Sequence, residues 1–472
     1  MLKHRRSWTL ALCVAAGAAS AGAQADTTVS ADGGGLHVST DGGNFQFNIS
    51  GRIFVDYATV IPGGHAGWGS TAQGSPASAP GVVGSPVGYQ NNSGVYFRRA
   101  NLDLTGKIYQ WSYRMEDNLS GNGGGTAADG TNNPNTGASG TGTGNDWRYL
   151  YIAHPLLQDG IIYIGQNKPY RSLEELTHDR DLLFMERPIT TASGVLGGRD
   201  LQDGAFYAWS RGNILSPLDN LFLGVSAYSL RKISQSTTEG VGANARIAYA
   251  PINAKGELLH FGLSYSSDHS DNAIPLTDNY RYGGYRLGSG TLSQSFIGST
   301  ANPTIGPSSS ADTVEGEFIG MWGPAYLAGE YAHVQASAQS TTPGLVTQAF
   351  YVQASYFLTG ESKLYNAKEA ITYNPYDLRH GYGAFELKAR YEQGQTGDLP
   401  EGNTTICAPS TGSIPKGSQI TKCEVSDYAV GMNYYPNAWI RFMLDYIVAT
   451  DNLGAAGKDK PQTLAFRAQV AF

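Results

Sequence analysis

The chain ends Leu464-Ala465-Phe466-Arg467-Ala468-Gln469-Val470-Ala471-Phe472. Leu464, Phe466, Val470 and Phe472 fall on one side of a period-two repeat, and Arg467 and Gln469 fall on the other. Successive side chains of an extended chain point to opposite faces, so this stretch reads as a strand with one apolar and one polar face. The pattern recurs upstream. Between Phe45 and Tyr57 the odd positions read Phe45, Phe47, Ile49, Gly51, Ile53, Val55 and Tyr57, while the even ones include Gln46, Asn48, Ser50, Arg52 and Asp56. Over 384–392, Phe385, Leu387, Ala389 and Tyr391 oppose Glu386, Lys388, Arg390 and Glu392. Over 439–448, Ile440, Phe442, Leu444, Tyr446 and Val448 oppose Arg441 and Asp445. Residues 242–250, 258–265 and 349–358 behave alike. In a soluble sandwich the apolar face would pack on a second sheet; in a membrane barrel it would meet lipid, and the polar face would line a wet lumen.

Composition narrows the choice. With 61 Gly, 29 Tyr and 15% charged residues in 472, the chain suggests all-β architecture with many turns. Its 41% apolar and 11% aromatic content exclude a disordered chain. A mean hydropathy of -0.28 argues against a helical membrane bundle. Three features favour a transmembrane antiparallel β-barrel. The polar faces carry charges of both signs, Tyr and Phe recur near strand ends as an interfacial girdle requires, and the terminal strand closing on Phe472 resembles the C-terminal signature of bacterial outer-membrane barrels. The alternation predicts about sixteen strands, starting near 45, 94, 110, 147, 160, 204, 219, 242, 257, 312, 325, 347, 383, 425, 439 and 463. Long connections (59–93, 120–146, 168–203, 269–311, 395–424) alternate with short ones (155–159, 251–256, 323–324, 436–438). That is the loop-outside, turn-inside asymmetry of such barrels. The connection 360–382 breaks it. Sixteen strands leave an aqueous channel.

The N-terminus sets the compartment. Lys3, His4, Arg5 and Arg6 precede a short Ala-rich apolar run, Trp8 to Ala19, and a small-x-small site at Ala21-Gly22-Ala23. This predicts a secretory signal peptide over 1–23, with cleavage after 25 as the alternative, and a bacterial outer-membrane destination. Residues 24–44 would form a periplasmic N-terminal segment, and 45–472 the barrel. Cleavage leaves 29 of the 32 basic residues against 39 acidic ones, a net charge of -10. Such a balance gives no support for nucleic acid as a partner. Cleavage also removes Cys13 and leaves Cys407 and Cys423, which can pair in an oxidising compartment.

Several segments resemble one family. They are Gly51-Arg52, the run Tyr96-Phe97-Arg98-Arg99-Ala100-Asn101-Leu102, the stretch Gly160 to Arg187, Leu358-Thr359-Gly360-Glu361 with Leu364-Tyr365, and Ala384-Phe385-Glu386-Leu387 with Arg390-Tyr391. Together, over roughly 36–472, they resemble the phosphate-selective porin O and porin P family. The resemblance implies a homotrimer of sixteen-stranded outer-membrane barrels, a third loop folded inward over the pore, and a ladder of arginines with lysines that bind phosphate or related anions. It also accounts for the long connection at 360–382. Arg52, Arg98, Arg99 and Arg187 match ladder positions, and Arg281 and Arg286 fall in the segment comparable to the family's Arg-rich stretch. The sequence departs from the pattern at Glu175, where the family has its constriction lysine, and at Ser112, where it has a supporting lysine.

Arginines in a narrow wet constriction attract anions, and the planar guanidinium pairs two oxygens of an oxyanion. Arg52 has the polar-face parity of its strand. Arg99 shares parity with Asn101, Asp103 and Lys107. Arg98 has lipid-face parity, which would cost about 2–4 kcal/mol at midplane, so it must sit at the rim, at a bulge or in a subunit interface. Loop 168–203 is the candidate constriction. It carries Lys168, Arg171, Arg180, Arg187 and Arg199 against Glu174, Glu175, Asp179, Asp181, Glu186, Asp200 and Asp203. Ion pairs can hold such a loop inward, or its opposed charges can set up a transverse field. His178-Asp179 could suggest acid–base chemistry, but no nucleophile-elbow pattern accompanies it. The expected function is passive diffusion of small anions such as phosphate or polyphosphate-like oxyanions, with no catalytic residue, cofactor or metal. The alternatives are a general or weakly cation-preferring porin of the same fold, and an outer-membrane barrel enzyme or adhesin.

Overall fold

A computed structural model describes residues 27–32, 34–61, 93–120, 146–192, 201–231, 238–270, 274–275, 279–281, 293–295, 304–305, 309–338, 345–375, 377–397, 423–452 and 458–472. Sixteen antiparallel strands form a closed barrel. They are β1 (Phe45–Ile61), β2 (Ser93–Ile108), β3 (Trp111–Asn118), β4 (Asp146–Pro155), β5 (Gly160–Asn167), β6 (Gln202–Gly212), β7 (Asn220–Arg231), β8 (Thr238–Ala254), β9 (Glu257–Ser270), β10 (Ser309–Trp322), β11 (Ala325–Ala338), β12 (Leu345–Phe357), β13 (Ala384–Gly397), β14 (Cys423–Asn437), β15 (Ile440–Asn452) and β16 (Gln462–Ala471). Each strand pairs with its sequence neighbours, and β16 pairs with β1 to close the cylinder. The terminal residue makes the last link: Gly51 N donates to Phe472 O (2.7 Å) and Phe472 N donates to Gly51 O (2.8 Å).

Period-two alternation sorts the side chains. In β16, Ala465, Arg467 and Gln469 point into the barrel and are buried, while Leu464, Phe466 and Val470 are exposed on the outer face. In β15 the inward set is Arg441, Met443, Asp445 and Ile447. The outer face carries two rows of aromatic rings. Phe350, Tyr391 and Tyr428 lie toward the long-loop end, with centroids 5.8 and 4.7 Å apart. Phe385, Tyr434, Phe442 and Phe466 stack lower down, at 4.5, 6.3 and 6.2 Å. Six residues separate Tyr428 from Tyr434 along β14, about 20 Å of strand, which matches the spacing of girdles flanking an apolar band. No described helix is long and apolar enough to cross a membrane.

At the short-turn end, tight connections use left-handed residues such as Gly256 (φ 78) and Gly323 (φ 54). An N-terminal hairpin, Thr28–Asp32 with Gly35–Thr40, continues the sheet at this end. Its second strand pairs with Phe45–Ile49 of β1, on the edge that β16 leaves when the chain stops at Phe472. The strand starts expected from alternation agree with these to within four residues.

Arg98 resolves its parity conflict through a bulge. Phe54 pairs with Arg99 and Val55 with Phe97, so Arg98 is the extra residue between them. A bulge re-aims a side chain at the cost of one ladder position, and here Arg98 and Arg99 are both buried, 5% and 3% exposed.

Closure makes a prediction. A Cβ added at Gly51 would lie 2.7 Å from Asn101 O and 2.8 Å from the Phe472 ring. Gly51→Ala should therefore cost about 1–3 kcal/mol of barrel stability through overpacking. The check is the midpoint of urea unfolding in detergent, which should fall; an unchanged midpoint would mean that this closure tolerates the extra carbon.

Candidate functional site

The lumen is where the chemistry lies, because the inward face of nearly every strand is polar or small. Two segments fold into it. The first is the connection from β5 to β6, described over 168–192; it contains two short helical turns, α1 (Leu173–Leu176) and α2 (Ile189–Ala192). The second is the long connection at the short-turn end, between β12 and β13.

An irregular segment inside a barrel must find partners for its own backbone groups. The first loop finds them on the wall. Glu330 of β11 accepts from Leu173 N (2.5 Å) and Glu174 N (3.2 Å), so a carboxylate meets the start of α1. Asp445 accepts from Met185 N (2.9 Å), and Glu392 from Ile189 N (2.7 Å). Arg441 donates to Leu182 O (2.8 Å), Lys388 to Leu183 O (3.0 Å) and Arg390 to Glu186 O (2.8 Å). Leu173, Leu183, Phe184 and Met185 also pack against small inward residues such as Ala58, Ala328, Ala429 and Ala465. Phe184 lies between Lys388 and Arg390, each 4.7 Å from its ring centroid. Apolar burial of this kind contributes roughly 1.5–3 kcal/mol per large side chain. The reading of this loop from its charges alone missed this apolar footing, which the run Leu182-Leu183-Phe184-Met185 could have signalled.

Beside the loop, β1 to β4 present a wall of arginines joined by carboxylates. Glu116 receives Arg52 (2.5 Å), Arg114 (2.7 Å) and Arg148 (3.4 Å). Arg114 also pairs with Asp103 (2.7 Å). Asp179, from the loop, reaches Arg52 and Arg99, at 2.7 Å each. Arg98 meets Glu186 of the loop at 3.2 Å. Burial pushes the Asp179 carboxyl up, but Arg52 and then Arg99 outweigh it and hold Asp179 well below the usual carboxylate range. At Glu174, by contrast, burial wins over Arg187 and Arg390, and the pKa is raised.

The expected site residues are therefore sorted by position. Arg52, Arg98 and Arg99 converge on the loop and form one network. Arg187 donates to Glu174 O and to Thr177 O (3.0 Å), binding the loop to itself. Arg171 contacts Tyr228 and Asp268 (3.3 Å), and Lys168 donates to Glu175 O (2.5 Å). Glu175 is buried in α1, its N–H capped by Ser172 Oγ (3.2 Å). Arg180 is more open and pairs with Asp181 (3.2 Å). Ser112 has inward parity two residues before Arg114. Arg281 belongs to a short strand pair, Asn279–Arg281 with Ser293–Ser295, and its side chain lies outside the described residues, as does Arg286. Cys423 opens β14, and the pairing with Cys407 lies outside the described residues. Arg114 and Arg148 were not singled out from the sequence: Arg114 was legible by parity, since it shares the inward face of its strand with Glu116 two residues on, whereas Arg148 alternates with the inward Tyr149 and Tyr151 and reaches Glu116 only at the register shift between Met115/Leu150 and Asp117/Trp147. His178 and Asp179 are not coupled as an acid–base pair: Asp179 is held by two arginines, and His178 lies 3.7 Å from Glu369.

Glu369 belongs to the second infolded segment. Its backbone O and that of Ala370 accept from Arg246 (3.1 and 2.8 Å), and Tyr365 OH bonds His260 (2.8 Å). Asn374 then ties it to the loop, donating to Asp181 Oδ1 (3.1 Å) and Arg180 O (3.2 Å). The two segments are thus tied to each other inside the barrel.

A family model for phosphate-selective porin O and P matches residues 81–472. The chain belongs to this porin family. Porin O of Pseudomonas aeruginosa is 25% identical over 493 residues, covering 100% of this chain and 99% of that protein. Among solved structures, an anion-selective porin from Comamonas acidovorans aligns with a TM-score of 0.52 at 10% identity, over 91% of this chain and 100% of that one. The trimer form of OmpT from Vibrio cholerae gives 0.50 at 10%, over 91% and 99%. At such identity they share the fold. The long connection expected from the family is the infolded segment of this porin, and its location is the bacterial outer membrane.

Asp179 and the second segment can each be tested. Asp179→Asn removes one partner from buried arginines and should cost about 3–5 kcal/mol. Because the folded pKa is lowered, this stabilisation is present above the unfolded value, about 3.9, and is lost as pH falls through the folded one. The stability gap between wild type and variant, measured by urea titration, should be constant above about pH 5 and vanish in strong acid. Replacing 364–374 by a short Gly-Ser turn should raise single-channel conductance; an equal conductance would show that this segment does not narrow the path.

Proposed function

We propose that this porin is an anion-selective diffusion channel that passes phosphate and related oxyanions. The observation that carries the reading is the concentration of Arg52, Arg98, Arg99, Arg114 and Arg148 on the β1–β4 wall beside the infolded loop. Low-dielectric walls focus their field on the lumen, so local charge outweighs the acidic total. Permeation needs weak, repeated binding, which a row of partly paired guanidiniums supplies. The pore-lining roles of Arg52, Arg98, Arg99 and Arg114, and the constriction by 168–203, belong to this proposal. So do export by a signal peptide at 1–23, a periplasmic segment at 24–44, a Cys407–Cys423 disulfide and a homotrimer. The trimeric form recorded for Vibrio cholerae OmpT supports the last of these by fold alone.

A second reading has its own support. Glu174, Glu175, Glu315 and Glu330 gather on the β10–β12 side of the loop, and the Glu315 carboxylate has no hydrogen-bond partner among the described residues. Opposed walls of this kind produce a transverse field and reduced selectivity. The zero-current potential across a KCl gradient in a planar bilayer decides between them. A chloride-selective potential with block by added phosphate is the expected result. A cation-selective or null potential without block would leave a general porin, and stable insertion without conductance would defeat both.

A further inference from the structure

Between the two infolded segments, the β3–β6 wall carries aromatic rings that inorganic anions do not require. Tyr149 and Tyr151 share the inward face of β4, and Tyr163 faces them from β5. Their rings meet edge to face: Tyr149 and Tyr151 at 6.3 Å and 87°, Tyr151 and Tyr163 at 5.2 Å and 87°. Arg114 lies 4.0 Å over the Tyr149 ring. These phenols border a cavity of 80 Å³, open on one side, whose other walls come from the first loop (Lys168, His178) and the second segment (Lys368, Glu369). Tyr151 and Tyr163 are only half-buried, so their ring surface is presented to the cavity.

We propose that this cavity is a binding station for small aromatic carboxylates on their way through the channel. One cation there is open to an anion. Lys168 and Arg114 line the cavity but are engaged, Lys168 by Glu175 O and Arg114 by Asp103 and Glu116, while the exposed Lys368 lines it with Glu369, the one lining carboxylate, which faces His178 at 3.7 Å. The edge-to-face row favours a planar ring, because an aromatic edge is electropositive and a ring face electronegative, so a ligand ring extends the herringbone pattern. A carboxylate on that ring then reaches the Lys368 ammonium. Simple oxyanions would gain from the cations and nothing from the rings, so the station separates organic from inorganic anions. The inference rests on the channel reading above and names a solute class for it.

The test compares benzoate with acetate as blockers of chloride current through the full-length protein in planar bilayers. Benzoate should half-block at a concentration about tenfold below acetate, the size expected from one or two ring contacts. Tyr151→Leu and Tyr163→Leu, each confirmed as a folded, heat-modifiable barrel, should bring the two within about twofold while leaving phosphate block unchanged. Lys368→Gln should weaken benzoate and acetate alike. Equal block by benzoate and acetate in the wild type would overturn the station and leave the channel reading intact. A benzoate advantage that survives both tyrosine substitutions would place ring recognition elsewhere and also overturn it. Absence of any chloride current would defeat the channel reading, and this inference with it. The wild-type comparison stands by itself if either variant fails to fold.

Discussion

A strand crossing hydrocarbon cannot leave its N–H and C=O groups unpaired, since each would cost several kcal/mol. The barrel meets this constraint at β1, which β2 and β16 pair from either side, with Phe472 and Gly51 exchanging the final two bonds. Everything else inherits its position from that closure. Once the ladder is closed, period two divides the residues into those facing lipid and those facing the lumen. The N-terminal hairpin can extend β1 only because β16 ends where it does. Arg98 can be turned inward only by a bulge, because the register on both sides is already set.

The lumen then imposes a second, related requirement. Apart from one short hairpin, Leu364–Asn366 with Ile371–Tyr373, the two infolded segments lack a ladder of their own, yet many of their residues are buried. The wall supplies partners of both signs: Glu330, Asp445 and Glu392 for N–H groups, Lys388, Arg390, Arg441 and Arg246 for carbonyls. An inward face rich in ionic residues is thus a structural need of a barrel with an irregular interior, before it is a statement about solutes. Inward alanines make the room that Phe184 and its neighbours fill.

The strands were legible because alternation is local: a window of ten residues carries the whole signal. Arg98 was legible as a contradiction, since an arginine of lipid-face parity demands an irregularity, and the bulge is its solution. Contacts made across the lumen were not legible. Asp445 accepts from Met185, 260 positions away in the sequence, and even Arg467 and Asp56, neighbours across the β16–β1 seam, lie 411 apart. No periodicity encodes such meetings, which follow from the curvature of the closed sheet. The second segment was visible only as an overlong turn. Its inward fold depends on Arg246 and His260, which look like ordinary polar-face residues of their strands.

The same division of labour bears on how an acidic chain can favour anions. Counting charges in the loop, or in the whole chain, weighs every carboxylate equally. In the structure they are not equivalent. Glu330 is engaged by the first N–H groups of α1, Asp445 and Glu392 by loop amides, and Asp181 by Asn374. A carboxylate that accepts backbone donors is held in place and partly compensated by their dipoles. On the opposite wall four guanidiniums, Arg52, Arg99, Arg114 and Arg148, share three carboxylates, Glu116, Asp179 and Asp103, so the cations of this cluster outnumber those partners by one. The field that a passing ion meets is set by the charges nearest its path, which low-dielectric walls focus, and not by the total. Acidic composition and an anion-favouring wall are compatible because the two describe different places.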